Sequence, residues 1–318
     1  MPVLDVQDLT TNYLTLRGWV RAAEGVSFQV EQGKALGIAG ESGCGKTTVA
    51  LSLLKILPAG GHIRHGKIIF DGVDLVPLSD SEMRKIRWKG ISIIFQGAMN
   101  ALNPVYKVGE QIVEAIRLHE SDVDKKAAMS RARALLEMVG VEPDRVDNYP
   151  HEFSGGMRQR ALIAMALAVN PKLVIADEPG TALDVIVQAQ TLKLMRDLKD
   201  KLGLSMIMIS HDLSIIAETC EKVAIMYAGR IVEYGDADAI YNEPLHPYTQ
   251  GLIKAFPSIN GPRVRLSSIP GQPPDLLSPP SGCKFHPRCP YVMDVCHTVD
   301  PVLEKAGKGE HLVACHLY

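Results

Sequence analysis

Gly40-Glu-Ser-Gly-Cys-Gly-Lys-Thr-Thr48 fits the pattern Gly, four residues, Gly-Lys-Ser/Thr, and it limits the architecture at once. The apolar run Lys34-Ala-Leu-Gly-Ile-Ala39 precedes it and a helix-like stretch, Thr47 to Leu57, follows it. Strand, glycine loop and helix in that order make a phosphate-binding P-loop. Its glycines let the backbone approach a phosphate and turn successive N–H groups inward. The positive end of the following helix adds to that attraction. Ser42, Gly43, Gly45, Lys46, Thr47 and Thr48 are the candidate phosphate-binding residues. Lys46 would reach the β- and γ-phosphates, and Thr47 would offer its hydroxyl to Mg²⁺. Cys44 reads as a small filler of the loop.

The rest of the chain suits such a loop. Gly25-Val-Ser-Phe-Gln-Val30 alternates with period two, and Ile91-Ser-Ile-Ile-Phe95 is strand-like. Leu173-Val-Ile-Ala176 and Leu204-Ser-Met-Ile-Met-Ile209 read as buried strands with helices before and between them. This alternation predicts an α/β fold, a parallel sheet covered by helices. Residues 108 to 140 carry helical spacing without strands, which predicts a helical insertion. The strand at Leu173 ends in Asp177-Glu178. Asp177 would hold the metal and Glu178 would orient the attacking water, because phosphoryl transfer needs mainly positioning and charge neutralisation. His211 falls at another predicted strand end, where ligands of open α/β sheets converge, so contact with the γ-phosphate is expected.

Composition excludes other classes. Across 318 residues, Lys+Arg 34 nearly balance Asp+Glu 36, so no global field holds a polyanion and no nucleic-acid partner is expected. At 46% hydrophobic and 22% charged the chain can bury a core. The apolar stretch Ala161–Val169 is about half of the roughly 20 residues a spanning helix needs. The N-terminus lacks the features of a signal peptide. A soluble protein kept inside the cell, able to rest against a membrane partner, is the expectation. Residues 241–318 hold 12 of the 20 prolines, placing a junction near Tyr241-Asn242-Glu243-Pro244 and a turn-rich tail after it. Domains are therefore expected at 1–240 and 241–318, with the helical region at about 97–160.

Ser154-Gly-Gly-Met-Arg-Gln-Arg160 precedes the helix-like run from Ala161 and would present free N–H groups, a second anion site. One nucleotide cannot easily occupy two distant sites of one subunit. A pair of subunits solves this, each offering Ser154, Gly155 and Gly156 to the nucleotide in the other's P-loop. Here the chain resembles the ATP-binding cassette (ABC) ATPases over nearly its whole length. Walker A matches 40–47, the signature 153–157 and Walker B 173–178. Gln96 matches the Q-loop, Asp184 in Ala182-Leu183-Asp184 the D-loop, and His211 the switch histidine. Tyr13 matches the aromatic that stacks on adenine, with Trp19 as second choice. The resemblance implies catalysis by Glu178, His211 and Lys46, Mg²⁺ held by Thr47, Gln96 and Asp177, and Asp184 acting in trans with the signature. Phe153 and Met157 depart from the signature without removing its backbone donors.

His246-Pro-Tyr-Thr249 and Gly282-Cys-Lys-Phe-His-Pro-Arg-Cys289 are similar to the dipeptide/oligopeptide importer ATPases. That resemblance implies a paralogous ATPase partner, with a homodimer as the other arrangement. It also implies two transmembrane permeases, a substrate-binding protein, and a peripheral place on the cytoplasmic face of the membrane. Peptide is the implied cargo, with oligosaccharide or nickel as alternatives. Cys283, Cys289, Cys296 and Cys315, with gaps of 5, 6 and 18 residues, read as metal ligands in a small Cys/Pro-rich domain. Their chemistry suits zinc or an iron–sulfur cluster equally. The resemblance favours a 4Fe–4S cluster, with His286, His297, His311 and His316 as nearby ligands for a mixed zinc site. The role expected of the metal is structural, because a proline-rich tail has little core of its own.

Two other readings weigh less. A cassette ATPase acting on DNA or ribosomes would show a very long coiled coil or two cassettes. Only 108 residues separate Lys46 from Ser154, there is one cassette, and no basic stripe appears. A redox sensor built on the four thiols is the other reading.

Overall fold

The computed structural model describes residues 2–97, 101–181, 183–255, 269–306 and 309–318. Ala182 of the expected D-loop, 98–100 of the helical region and 256–268 and 307–308 of the tail lie outside the described residues. Elements in chain order begin with β1 (Pro2–Thr15), β2 (Gly18–Glu31), β3 (Ala35–Ala39), α1 (Lys46–Leu53), β4 (Gly61–Phe70) and β5 (Val73–Asp74). Next come α2 (Asp80–Ile86), β6 (Ile91–Ile94), α3 (Val108–His119), α4 (Lys125–Met138), α5 (Gly155–Ala166), β7 (Leu173–Asp177), α6 (Val185–Leu202) and β8 (Ser205–Ser210). The chain ends with α7 (Leu213–Thr219), β9 (Lys222–Tyr227), β10 (Arg230–Asp236), α8 (Ala237–Asn242), α9 (Pro247–Ala255), β11 (Glu304–Lys305) and β12 (Leu312–Val313). Two compact units result, 1–77 with 208–318, and 78–207. Among the described residues no helix is long and apolar enough to cross a membrane.

In the first unit β3 runs parallel to β9, from Leu36 beside Lys222 to Ala39 beside Ile225. All five β3 residues are buried, the pattern of a strand covered on both faces. One cover is α7: a Cβ on Gly37 would lie 2.1 Å from Ile216 Cγ2, so only glycine lets this helix approach. β10 pairs antiparallel with β9, and β12 with β10. A separate antiparallel sheet in the order β2-β1-β4-β5 was not apparent in the alternation of apolar runs. Its strands β1 and β2 carry several register irregularities, which blur a simple two-residue period.

In the second unit β6 and β7 are parallel, Ile91 beside Leu173 and Ile94 beside Ala176. Several helices here start on side-chain caps. Ser79 and Glu82 form a reciprocal capping box at α2, and Asp124 accepts from the Ala127 N–H at α4. Buried Val108, Ile112, Val113 and Ile116 on α3, with Ala128, Ala132, Leu135 and Leu136 on α4, are the apolar faces of the expected helical region.

Candidate nucleotide-binding site

The loop between β3 and α1 is shaped by its glycines. Gly45 has φ +106°, and a Cβ there would stand 2.0 Å from the Ala22 carbonyl oxygen. Gly43, at φ +81°, has nothing within 4 Å of where a Cβ would be, so this peptide borders open space. Lys46 is 5% exposed, its Nζ donating to the carbonyls of Gly40 at 2.7 Å and Glu41 at 3.0 Å. Ser42 and Thr47 are exposed, Thr48 is buried, and Ser52 of α1 shares a 2.9 Å hydrogen bond with Thr11 of β1. Burial pushes the Cys44 thiol up, in keeping with a filler.

Tyr13 lies on β1 opposite Gly61, whose absent side chain leaves room for the ring: a Cβ would fall 2.8 Å from Tyr13 Cε1. Trp19 has Arg64 over its ring at 5.0 Å and His62 edge-on at 5.7 Å. Arg64 thus covers one face of the Trp19 ring. His211 follows β8 and is exposed.

In the second unit, pairing of β6 with β7 brings the two strand ends side by side. Asp177, last residue of β7, is 2% exposed. Glu178 takes φ +48°, a conformation costly for a non-glycine residue and most often kept at functional positions. Its Oε2 accepts from Gln96 Nε2 at 2.8 Å and from Thr181 Oγ1 at 2.9 Å. Thr181 was absent from the sequence reading, and a lone threonine in a loop gives no signal of this contact. Ser154 caps α5, accepting from the Met157 N–H at 3.3 Å, and remains exposed. Gly156 lets α6 come close, since a Cβ would lie 2.8 Å from Val187 Cγ1. Asp184 caps α6 through the N–H groups of Ile186 (3.1 Å) and Val187 (3.0 Å). Ser154 and Asp184 thus spend side-chain oxygens on their own helices, with Gly155 and Gly156 half-buried behind the exposed Ser154 at the start of α5.

Two tail residues that sequence reasoning quoted only as family markers reach the P-loop. The Tyr248 hydroxyl accepts from the Glu41 N–H at 2.8 Å, and Arg288 binds the Glu41 carboxylate through Nη1 at 2.6 Å and Nη2 at 3.0 Å. Separations of 207 and 247 residues hide both contacts from any spacing rule.

The expectation of a metal cluster in the tail finds no support in the structure. Among the described residues no group of three or more His, Cys, Asp or Glu side chains is arranged to hold a metal ion. Cys283 and Cys296 are buried and linked through backbone, the Cys283 N–H donating to the Cys296 carbonyl at 2.9 Å. Burial first, then the neighbouring thiols Cys296, Cys315 and Cys289, push the Cys283 thiol up to about 11. Burial likewise raises Cys289 and Cys315. The histidines are engaged elsewhere: His311 with Glu233 at 2.7 Å, His316 with the Val299 carbonyl, and His286 with the Cys283 carbonyl. His297 packs against His286 with the rings tilted, their centroids 4.5 Å apart. The tail also has packing of its own. Phe285 meets Tyr227, Tyr248 and His246 at 5.2–5.6 Å between centroids. The buried Glu233 carboxylate collects the N–H groups of Leu245 and His246 as well as His311.

The fold and these loops define a P-loop nucleotide-binding protein, an ABC-type ATPase. The pattern described as "ABC transporter" matches residues 23–181, and "Oligopeptide/dipeptide transporter, C-terminal region" matches 232–296. The oligopeptide transport ATP-binding protein OppD of Bacillus subtilis (strain 168) is 49% identical over 314 residues, covering 98% of this chain and 87% of that protein. The dipeptide transport ATP-binding protein DppD of Escherichia coli (strain K12) is 43% identical, covering 99% and 97%. A solved dimer of the ATP-binding cassette MJ0796, in a post-hydrolysis state bound to ADP and Pi, superposes with TM-score 0.66 at 25% identity, over 74% of this chain and 98% of that one. The chain belongs to the ABC transporter family, in its oligopeptide/dipeptide group of ATP-binding proteins.

Proposed function

We propose that this chain is the ATP-hydrolysing subunit of a peptide importer, peripheral on the cytoplasmic face of the membrane. It would pair with a second cassette subunit, a paralogue or a copy of itself, beneath two permeases fed by a binding protein. Residues 1–240 would bind nucleotide and 241–318 form the tail domain. The names of the similar proteins support peptide over oligosaccharide or nickel as cargo.

Ser42, Gly43, Gly45, Thr48 and Lys46 would grip the phosphates, and Tyr13 the adenine. Thr47 hydroxyl, Gln96 amide and Asp177 carboxylate are hard oxygen donors of the kind Mg²⁺ takes. Gln96 donates through Nε2, so its carbonyl oxygen is the end that can turn to a cation. Bound there, Mg²⁺ would neutralise phosphate charge. Glu178 would accept the proton of the attacking water, held for that task by Gln96 and Thr181. His211 would steady the γ-phosphate. Ser154, Gly155, Gly156 and Asp184 would act on the nucleotide of the partner subunit, and the exposed start of α5 supports that placement.

The observation that carries the reading is Glu178, fixed by two hydrogen bonds beside the buried Asp177. ATP hydrolysis by the purified chain, measured with Mg²⁺ and with a chelator, tests it. Magnesium-dependent phosphate release is expected; no hydrolysis with or without a partner subunit would refute it.

A further inference from the structure

Glu41 has each of its polar groups committed. Its carbonyl accepts from Lys46 Nζ at 3.0 Å and from the Cys44 N–H at 3.3 Å. Its N–H and its carboxylate face the other way, toward the Tyr248 hydroxyl and the Arg288 fork. One residue therefore joins the P-loop lysine to the C-terminal tail. Neither tail residue can shift easily. Arg288 also donates from Nε to the Pro270 carbonyl at 2.8 Å and from Nη1 to the Tyr227 hydroxyl at 3.3 Å. Tyr248 is fully buried against Tyr227 and Phe285.

A loop with three glycines samples many backbone states, and ordering it on binding costs affinity. A clamp that holds Glu41 removes part of that cost before nucleotide arrives. We propose that Arg288 and Tyr248 are positioning residues of the nucleotide cradle, holding Glu41 and through its carbonyl the resting place of Lys46. The tail thereby sets nucleotide affinity. This rests on the nucleotide reading of the P-loop given above. The effect falls on binding more than on the chemical step, since the groups assigned to the attacking water lie elsewhere in the chain.

The test uses the full chain and a fluorescent ATP analogue, with KM, kcat and thermal melting measured on the same samples. Tyr248→Phe removes a single hydroxyl, and Arg288→Lys keeps the charge but loses the two-pronged geometry. Each is expected to weaken nucleotide binding and raise KM by about 3- to 10-fold, with kcat within about twofold. Combining Arg288→Lys with Glu41→Gln should weaken binding no further than the stronger single change, because both act on one contact. Unchanged affinity in folded Tyr248→Phe and Arg288→Lys protein overturns the proposal, even if melting falls; so does a loss confined to kcat. Should Arg288→Lys fail to fold, Tyr248→Phe decides alone. Failure of the nucleotide reading itself would look different: the wild-type chain would not bind the analogue, or Lys46→Ala would bind it equally well.

Discussion

Gln96 Nε2 donates to Glu178 Oε2 across 2.8 Å, joining the second residue after β6 to the residue that follows β7. The contact follows from the parallel register that sets Ile94 beside Ala176. With Thr181 donating to the same oxygen, it fixes the Oε2 end of the carboxylate. Glu178→Gln should therefore keep ATP binding while phosphate release falls by about 10²-fold or more. Size-exclusion chromatography should show an ATP-dependent dimer accumulating. Turnover near that of the wild type would remove Glu178 from the assigned role.

Lys46 donates to the carbonyls of Gly40 and Glu41, which holds its charge within the loop. Lys46→Ala should weaken ATP binding by about 10- to 100-fold, the worth of hydrogen bonds to a charged group. Titration calorimetry reads this directly, and an unaltered dissociation constant would count against the cradle.

Gly45→Ala places a methyl group 2.0 Å from a backbone oxygen, in a backbone conformation at φ +106° that only glycine adopts freely. Loss of stability of about 2 kcal/mol or more is expected, together with loss of nucleotide binding. Gly43→Ala, at φ +81°, carries backbone strain but meets no such wall. Denaturant melts of the two variants should differ clearly, and equal stability would contradict the described loop.

Ser154→Ala removes the cap of α5 and should cost about 1 kcal/mol of stability. If the start of α5 grips nucleotide across a subunit pair, ATP-induced dimerisation should fall much more than this small cost implies. A dimer of normal strength would argue that the serine serves its helix alone.

Burial pushes the His246 imidazole down to about 3. The ring faces Phe285, and the Glu233 carboxylate holds the His246 backbone N–H. The unfolded chain binds a proton here near pH 6.5 and the folded chain does not, so acid favours unfolding. Stability should fall between about pH 6.5 and pH 3 by an amount on the order of a few kcal/mol from this group. His246→Asn keeps an acceptor for the Tyr248 N–H and should flatten the fall of melting temperature with acidification. An identical slope in both proteins would refute the assignment.

The P-loop, the paired carboxylates at 177–178 and the glycine-bearing start of α5 were legible because each depends on local backbone chemistry. Glycine placement, an apolar strand before it and a helix after it specify a phosphate cradle within nine residues. The helical region was legible for the same reason, from the periodicity of α3 and α4. Contacts between distant segments were not. Thr11 on Ser52, Tyr248 and Arg288 on Glu41, and the Glu233 hub each join side chains whose meeting depends on how strands pair and helices cover them. The four cysteines show the limit most plainly. Their crowding in sequence suggested a shared ion, which the structure does not support, while the tail packs around Phe285 and Tyr248 with the Arg288–Glu41 and His311–Glu233 contacts, whose aromatic packing and hydrogen bonds leave no trace in residue spacing. Local chemistry of the chain alone determined that it cradles phosphate; tertiary packing decided what holds that cradle still, because a rigid grip on a flexible loop must come from residues outside it.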